Sequence, residues 1–160
     1  RFLILRKVNG FRHRKRGNMR FEFKITPRGK GRPRFMRRGK FIQAFTDKAT
    51  RQFESFISKE AKKQMSENKF EMMDGPLTVS MTFYMPRPKS LPKKSWFDYH
   101  TKKPDVDNIA KGVLDALNEI AWTDDSHISI ISALKLYGDE PRIEMYIEQL
   151  PSSPRIATPS

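Results

Sequence analysis

The segment PDVDNIAKGVLDALNEIAWTDDSHI, residues 104–128, gathers aspartates in a chain whose formal net charge is +14. Its apolar residues recur at helical spacing, which predicts a helix over 108–120. Pro104 suits a position just ahead of a helix, and Asp107 is placed to cap the first turn. The segment then turns into a strand predicted over 128–137. This helix–turn–strand unit is the framework for the remaining predictions.

Other elements are predicted from the same kind of periodicity. Alternating apolar residues indicate strands and a spacing of three to four indicates a helix. We predict strands over 20–26, 77–85 and 142–149, a hairpin within 34–45 that turns near Arg38 and Gly39, and a helix over 47–65 with Thr46 or Asp47 as its N-cap. The predicted class is α+β, a mixed β-sheet with two main helices packed on it. We expect a basic extension over 1–18 that is disordered or vector-derived, one domain over 19–150, and a disordered tail over 151–160.

The positive charge is confined to the N-terminal part of the chain. Residues 1–46 contain 16 Lys and Arg against one acid, whereas the remaining 114 residues have a net charge of −1. In the stretch TPRGKGRPRFMRRGKFIQAF, residues 26–45, the cations alternate with Gly and aromatic residues, which is typical of a phosphate-contacting loop. A solvated basic tail is the alternative. The predicted DNA contacts are Arg28, Lys30, Arg32, Arg34, Arg37 and Arg38, joined by Lys102 and Lys103.

Composition excludes several classes of protein. No apolar run is long enough to cross a bilayer, and the run Phe2–Leu5 is too short for a secretory leader. The absence of cysteine excludes disulfides and thiolate metal sites. We therefore expect a cytoplasmic protein without a membrane partner.

The aspartates predict a metal site. Asp105 and Asp107 are two residues apart in extended chain, so both side chains can point the same way. Asp125 can join them if the strand after it lies beside the one leading into Asp105. Three adjacent carboxylates repel one another unless a cation lies between them, and oxygen ligands favour Mg²⁺, with Mn²⁺ as a substitute. Lys111 can then stabilise charge that develops on a phosphate.

Simpler interpretations stay open on spacing alone. Asp105 and Asp107 also suit turn and cap chemistry, and Asp124 favours a simple turn. His127 is expected to be a structural histidine. If the aspartates only form turns and caps, the alternative is a non-catalytic nucleic-acid-binding module that uses a basic N-terminal arm. A metal-dependent enzyme of another class, acting on nucleotide diphosphates, is a further alternative.

The motif DVDNIAKGVLDAL followed by AWTDDSHI resembles the signature of the RusA family of Holliday-junction resolvases, Asp-x-Asp-Asn-x-x-Lys and then Trp-x-Asp-Asp. The upstream GKGRPRF is also similar to that family, and the resemblance covers about 21–150. It implies a Mg²⁺-dependent endonuclease that acts in DNA recombination and repair. Such an enzyme binds four-way or other branched DNA as a homodimer and resolves junctions by paired symmetric nicks. By motif position, the resemblance implies metal binding by Asp105, Asp107 and Asp125, with Asp124 as a further candidate, and a catalytic role for Lys111.

Two further expectations concern surfaces. The strand over 77–85 and the first helix carry enough large apolar groups to supply a dimer interface. The long loop over 86–103 contains an aromatic cluster that either stacks on exposed bases or packs on the protein. Its members are Trp96, Phe97, Tyr99 and His100.

Overall fold

The computed structural model describes residues 18–31, 34–92 and 98–153. The strands are β1 (Asn18–Phe23), β2 (Arg34–Arg38), β3 (Phe41–Phe45), β4 (Leu77–Pro86), β5 (Ile128–Gly138) and β6 (Arg142–Gln149), and the helices are α1 (Lys48–Asn68) and α2 (Val106–Leu117). A short 3-10 turn, Asp125–His127, precedes β5. The extension and tail predicted at the two ends lie outside the described residues, except that Asn18 begins β1 and residues 151–153 are described.

The main sheet is mixed and has four strands in the order β1-β6-β4-β5. Strand β6 pairs antiparallel with both β1 and β4, whereas β5 runs parallel to β4. Strands β2 and β3 form a separate two-stranded sheet. The predicted α+β class with a mixed sheet and two helices is confirmed. Neither described helix has the length and apolar character needed to cross a bilayer.

The core lies between the sheet and the two helices. Phe53 and Ile57 of α1 and Ile109 of α2 are buried in one apolar cluster with the inward residues of the strands. Strand β4 is the central element, and Val79 and Phe83 are fully buried in it. The large apolar side chains of residues 77–85 are buried in the protein's own core and leave little apolar surface for a dimer interface, whereas an interface formed by the first helix stays a prediction.

Local sequence sets the start of α1. Asp47 is its N-cap, and its Oδ1 accepts a 2.6 Å hydrogen bond from the backbone N–H of Thr50. This bond satisfies one of the orphan donors of the first turn. It also lowers the pKa of Asp47 below its ordinary value. The predicted cap is confirmed.

The direction of α2 follows from the parallel pairing of β4 with β5. A chain that leaves the end of β4 must return to the start of β5, so the connecting helix runs against the strands. The first turn of α2 accordingly lies beside Lys135, near the end of β5, and its last turn lies toward Ile128 at the strand's start. This orientation separates the two ends of the acidic segment.

Candidate metal and DNA site

A groove lies at the start of α2. Asp105 occupies the N-cap position and Asp107 lies in the first turn, which differs from the prediction that Asp107 is the cap. Both residues line an open cavity of about 610 Å³, although Asp107 lies in the helix and not in extended chain as the spacing argument assumed. The N-terminal end of a helix favours negative charge, which suits two acids there. The rest of the lining is Tyr99, His100, Thr101, Lys102, Lys103, Val106, Ala133, Leu134 and Lys135.

Lysines compensate the Asp105 carboxylate. The ammonium of Lys103 pairs directly with Asp105, and this hydrogen bond is the largest cause that lowers the pKa of Asp105. The charge of Lys135 acts in the same direction. Lys103 is 83% exposed, so its side chain is free to exchange this carboxylate for a phosphate. The groove therefore holds an acid of lowered pKa whose counter-charge is exposed to solvent.

Lys135 fixes the backbone that enters the groove. Its Nζ donates hydrogen bonds of 2.6 Å to the carbonyl oxygens of Lys102 and Pro104. The sequence offered only a lysine within an apolar strand pattern, with no local partner. The role of Lys135 in positioning Asp105 was missed because it depends on residues that lie 31 and 33 positions away in sequence.

The segment 98–100 extends the wall of the groove as a short antiparallel addition to β5. The backbone of His100 donates to Lys135 O at 3.0 Å, and Tyr137 N donates to Asp98 O at 2.9 Å. The His100 ring lies 4.6 Å from the Tyr137 ring, and burial lowers the pKa of His100. Within the described part of the aromatic cluster, His100 packs on the protein whereas Tyr99 is 70% exposed. Trp96 and Phe97 lie outside the described residues.

The start of the basic segment, residues 26–45, is hydrogen-bonded to both helices. Asn108 Nδ2 donates to the carbonyl of Lys30 at 3.1 Å, and Gly31 N donates to Thr50 Oγ1 at 2.9 Å. Gly29 leaves no room for a side chain, since a Cβ there would lie 2.8 Å from both Asn108 Nδ2 and Pro104 Cβ. Asn108 thus ties the loop to the turn that carries Asp107, a role that its place in the motif did not reveal.

The cations predicted to bind DNA differ in their surroundings. The Lys30 ammonium pairs with Asp115 and lies 3.3 Å from Glu54, and the Asp115 hydrogen bond raises the pKa of Lys30. Lys30 is thus engaged within the protein, and its contact with DNA stays a prediction. Arg28, Arg37, Lys102 and Lys103 are exposed. Arg32 lies outside the described residues, and Arg34 and Arg38 are described only as parts of the β2 backbone.

The turn after α2 holds the remaining acids. Asp125 accepts a 2.6 Å hydrogen bond from Nε1 of the buried Trp122. Asp124 accepts from Ser126 N at 2.7 Å, which is the predicted turn chemistry. His127 lies 3.0 Å from Thr123 Oγ1 and 3.1 Å from Asp74 Oδ1, as expected of a structural histidine.

The structure does not bring Asp125 to Asp105 and Asp107 within one protomer. Asp105 lies next to Lys135, whereas Asp125 precedes Ile128 at the other end of β5. Seven residues separate Ile128 from Lys135, or about 23 Å of extended backbone. Across residues 18–31, 34–92 and 98–153, no three His, Asp or Glu side chains form a group that could hold a metal. The expectation that one chain gathers all three aspartates is wrong, because α2 runs against the strands.

Lys111 has the position that the motif predicts. It is exposed on α2, one turn beyond Asp107 and on the same side of the helix. Lys111 is not among the residues that line the groove, so its part in the site stays a prediction.

Comparison with known proteins agrees with the motif. The family described as endodeoxyribonuclease RusA matches residues 24–148. The YqaN protein of Bacillus subtilis (strain 168) is 32% identical over 132 residues, which cover 78% of this chain and 91% of the relative. The crossover junction endodeoxyribonuclease rusA of Lactococcus phage r1t is 33% identical over 76 residues, which cover 47% of this chain and 56% of the relative. Groove, motif and family match lead to one conclusion: the chain belongs to the RusA family of endodeoxyribonucleases and is an enzyme that hydrolyses phosphodiester bonds in DNA.

Proposed function

We propose that this enzyme resolves four-way DNA junctions by paired, symmetric, Mg²⁺-dependent nicks. The observation that carries the proposal is the pair of carboxylates, Asp105 and Asp107, that share one open groove at a helix start in a chain of this family. The name of the Lactococcus phage relative, a crossover junction endodeoxyribonuclease, supports the same substrate here. The exposed arginines and lysines beside the groove supply contacts to the DNA backbone.

The donor set suits magnesium. Mg²⁺ in proteins commonly takes one or two carboxylates and leaves its other positions to water and phosphate. Asp105 and Asp107 would hold the ion, and when bound it supplies an activated water and offsets charge on the phosphate. Asp105 is kept ionised by Lys103, which can release it and bind the DNA backbone. Lys111 then stabilises the negative charge that builds up as the P–O bond breaks.

The third carboxylate is supplied by a second protomer in this proposal. Among the described residues, only 98–100 pair with the outer edge of β5, and they do so at residues 135–137. The same edge is unpaired by described residues from Ile128 to Leu134. Five consecutive residues, 129–133, are exposed there on both faces of the strand. Ile130 and Ile131 are 53% and 52% exposed. An open apolar edge is a natural site for strand addition.

Two-fold symmetry makes this edge self-complementary. An antiparallel pair of β5 strands centred on Ile131 sets the start of one β5 against residue 134 of the other. Asp125 precedes the start of β5, and Asp105 and Asp107 lie beside Lys135 at its far end. Pairing therefore carries Asp125 of each protomer toward the groove of its partner. The dimer obtains two equivalent sites, which matches the two opposed strands that a junction resolvase must cut.

The experiment uses a labelled synthetic four-way junction with Mg²⁺. Wild-type protein should give cuts in symmetric pairs, and neither Asp105→Asn nor Asp125→Asn protein should cut alone while both still bind the junction. If either variant cuts at the wild-type rate, the site assignment is wrong. If the wild-type protein leaves the junction intact, the proposed substrate is wrong.

Mixed dimers test the shared site. We would co-express Asp105→Asn and Asp125→Asn chains with different tags and purify the doubly tagged dimer. One of its two sites then combines a native Asp105 with a native Asp125 from the other chain, so we expect single nicks at about half the wild-type site number. A doubly tagged dimer without any cutting would mean that each site belongs to one chain. A matched dimer of two Asp105→Asn chains is the inactive control.

A further inference from the structure

The hairpin formed by β2 and β3 is a separate feature that the groove does not explain. It pairs only with itself among the described strands, with Gly39 in the left-handed conformation (φ 65°) at its turn. Its twelve residues, 34–45, include four Lys or Arg and no acid. Hairpins of two strands are marginally stable in water unless another surface covers them. A partner that covers this one therefore meets four cations and no acid.

The hairpin also presents large apolar side chains to solvent. Phe35 is 71% exposed, Phe41 79% and Ile42 73%, the three most exposed large apolar residues that the structure describes. The strand register pairs Phe35 with Ala44, Arg37 with Ile42, and Arg38 with Phe41. Because side chains alternate along a strand, Phe35 and Ile42 lie on one face of the hairpin and Phe41 lies on the other. Among the side chains that the structure describes, each face therefore offers one exposed aromatic ring.

The base of the hairpin is held beside the groove. Ahead of it, Lys30 is bonded to Asn108 in the first turn of α2, and Gly31 is bonded to Thr50. Behind it, Asp47 caps α1 and also binds Thr50 Oγ1 at 3.0 Å. Both ends are thus anchored at the side of the molecule that carries Asp105 and Asp107. Strands of five residues reach about 17 Å from that base.

We propose that this hairpin enters the centre of branched DNA, where Phe35 and Phe41 stack on bases exposed at the branch point. Aromatic rings combined with cations are the usual means of binding unpaired bases, because every base has a stacking face and every nucleotide a phosphate. One ring on each face suits a wedge between two helical arms. The inference rests on the proposed function and extends it, since it states how a branch is distinguished from a continuous duplex.

Charge favours nucleic acid over a protein partner for this surface. On this side of the molecule, Asp105 pairs with Lys103, Asp115 pairs with Lys30, and Asp47 caps α1, so these acids already have partners within the chain. A four-way junction supplies unpaired or weakly stacked bases and dense phosphates in one place. The same ligand then offers bases to the apolar side chains of the hairpin and phosphates to its cations.

The test places 2-aminopurine, a fluorescent base, at the branch point of a synthetic junction, in EDTA to prevent cutting. Wild-type binding should change its fluorescence, because a ring stacks on it. Phe35→Leu and Phe41→Leu keep an apolar side chain but remove the stacking ring. We expect each to weaken junction binding by roughly 5- to 100-fold, to reduce the fluorescence change, and to leave binding to unbranched duplex unaltered. Phe56→Leu on α1, 38% exposed, is the matched control and should behave as wild type.

The outcomes separate this inference from the proposed function. Leu variants with the wild-type signal and affinity would overturn the hairpin's role even where the wild-type protein cuts junctions with Mg²⁺. If the variants instead change the sedimentation of the free protein while the fluorescence response persists, the hairpin contacts another chain and the inference is wrong. Wild-type protein that binds the junction with a fluorescence change but never cuts it would support the hairpin's role and count against the resolvase.

Discussion

The indole Nε1 of Trp122 donates a 2.6 Å hydrogen bond to Oδ1 of Asp125. Trp122 is fully buried in the core, whereas Asp125 is only partly buried at the surface. The bond therefore fixes the orientation of a surface carboxylate from a rigid position beneath it. A tryptophan three residues before the aspartate acts as its support, which gives the Trp-x-x-Asp spacing a physical reason.

Trp122→Phe tests this support. Phenylalanine keeps an aromatic ring in the core but cannot donate a hydrogen bond, so Asp125 is no longer held in one orientation. We expect half-maximal nicking to need roughly 10- to 100-fold more Mg²⁺, while junction binding in EDTA is retained. The measurement is the initial rate of nicking against Mg²⁺ concentration.

Phe23→Leu is the matched control for that change, because it shrinks a fully buried aromatic residue of β1 away from the groove. It should lower the melting temperature without altering the Mg²⁺ requirement. Identical Mg²⁺ curves for wild type and Trp122→Phe would mean that Asp125 needs no support from the indole.

Lys135→Met removes an ammonium that binds the carbonyls of Lys102 and Pro104. The methionine fills a similar volume but leaves both carbonyls without this donor. We expect the free energy of unfolding to fall by roughly 1.5–3 kcal/mol, measured by urea denaturation, together with slower nicking. Lys62→Met, at an exposed site on α1, is the control and should leave both quantities unchanged. Unaltered stability of the Lys135 variant would show that the segment before α2 is held by other interactions.

The pKa of His100 predicts a dependence of stability on pH. Burial, followed by the nearby charge of Lys135, lowers this pKa below 6.5. The unfolded chain therefore binds the proton at a higher pH than the folded protein does. The contribution of His100 is present in full above pH 6.5 and is lost as the pH falls through the folded-state pKa. Urea titrations of metal-free protein between about pH 8 and pH 5 should detect this decrease in stability.

His100→Phe is the comparison for the pH series. The phenylalanine retains the ring contact with Tyr137 but cannot be protonated. Its curve of unfolding free energy against pH should be flatter than that of wild type below pH 6.5 and parallel to it above. If the two curves of unfolding free energy against pH have the same slope throughout, His100 is not the source of the pH dependence.

Salt dependence tests the cationic surface. Arg28→Ala and Arg37→Ala each remove an exposed cation of the basic segment. For each DNA phosphate that a variant no longer neutralises, the slope of log binding constant against log salt should decrease by about 0.9. Lys62→Ala removes an exposed cation from α1 and serves as the control. Slopes equal to wild type for both arginine variants would place the DNA elsewhere on the molecule.

Most of the fold was predictable because its elements have strong, long periodicity. Strands β4, β5 and β6 agree with their predicted bounds within one residue, and Asp47 caps α1 as its position suggested. Side-chain alternation and helix capping depend on local sequence, so strands and caps can be predicted without knowledge of the tertiary structure. The spacing argument for Asp105 and Asp107 assumed extended chain, whereas Asp107 lies in the first turn of α2, so their shared groove depends on the helix start.

The relation between the two halves of the acidic segment was not predicted. It depends on whether β5 runs parallel or antiparallel to β4, which no local pattern determines. Parallel pairing obliges α2 to run back along the sheet, and Asp125 is carried to the far end. Lys135 and Asn108 escaped notice for a similar reason, since their partners lie at least 31 residues away in sequence.

The reversed course of α2 also has a consequence for when the enzyme works. In the dimer proposed above, a single folded chain contributes Asp105 and Asp107 to one site and Asp125 to the other. It therefore contains no complete site of its own. Cleavage then requires two copies to associate, so the dilute monomer is inactive. At concentrations below the dimer's dissociation constant, activity should rise with the square of the amount of protein.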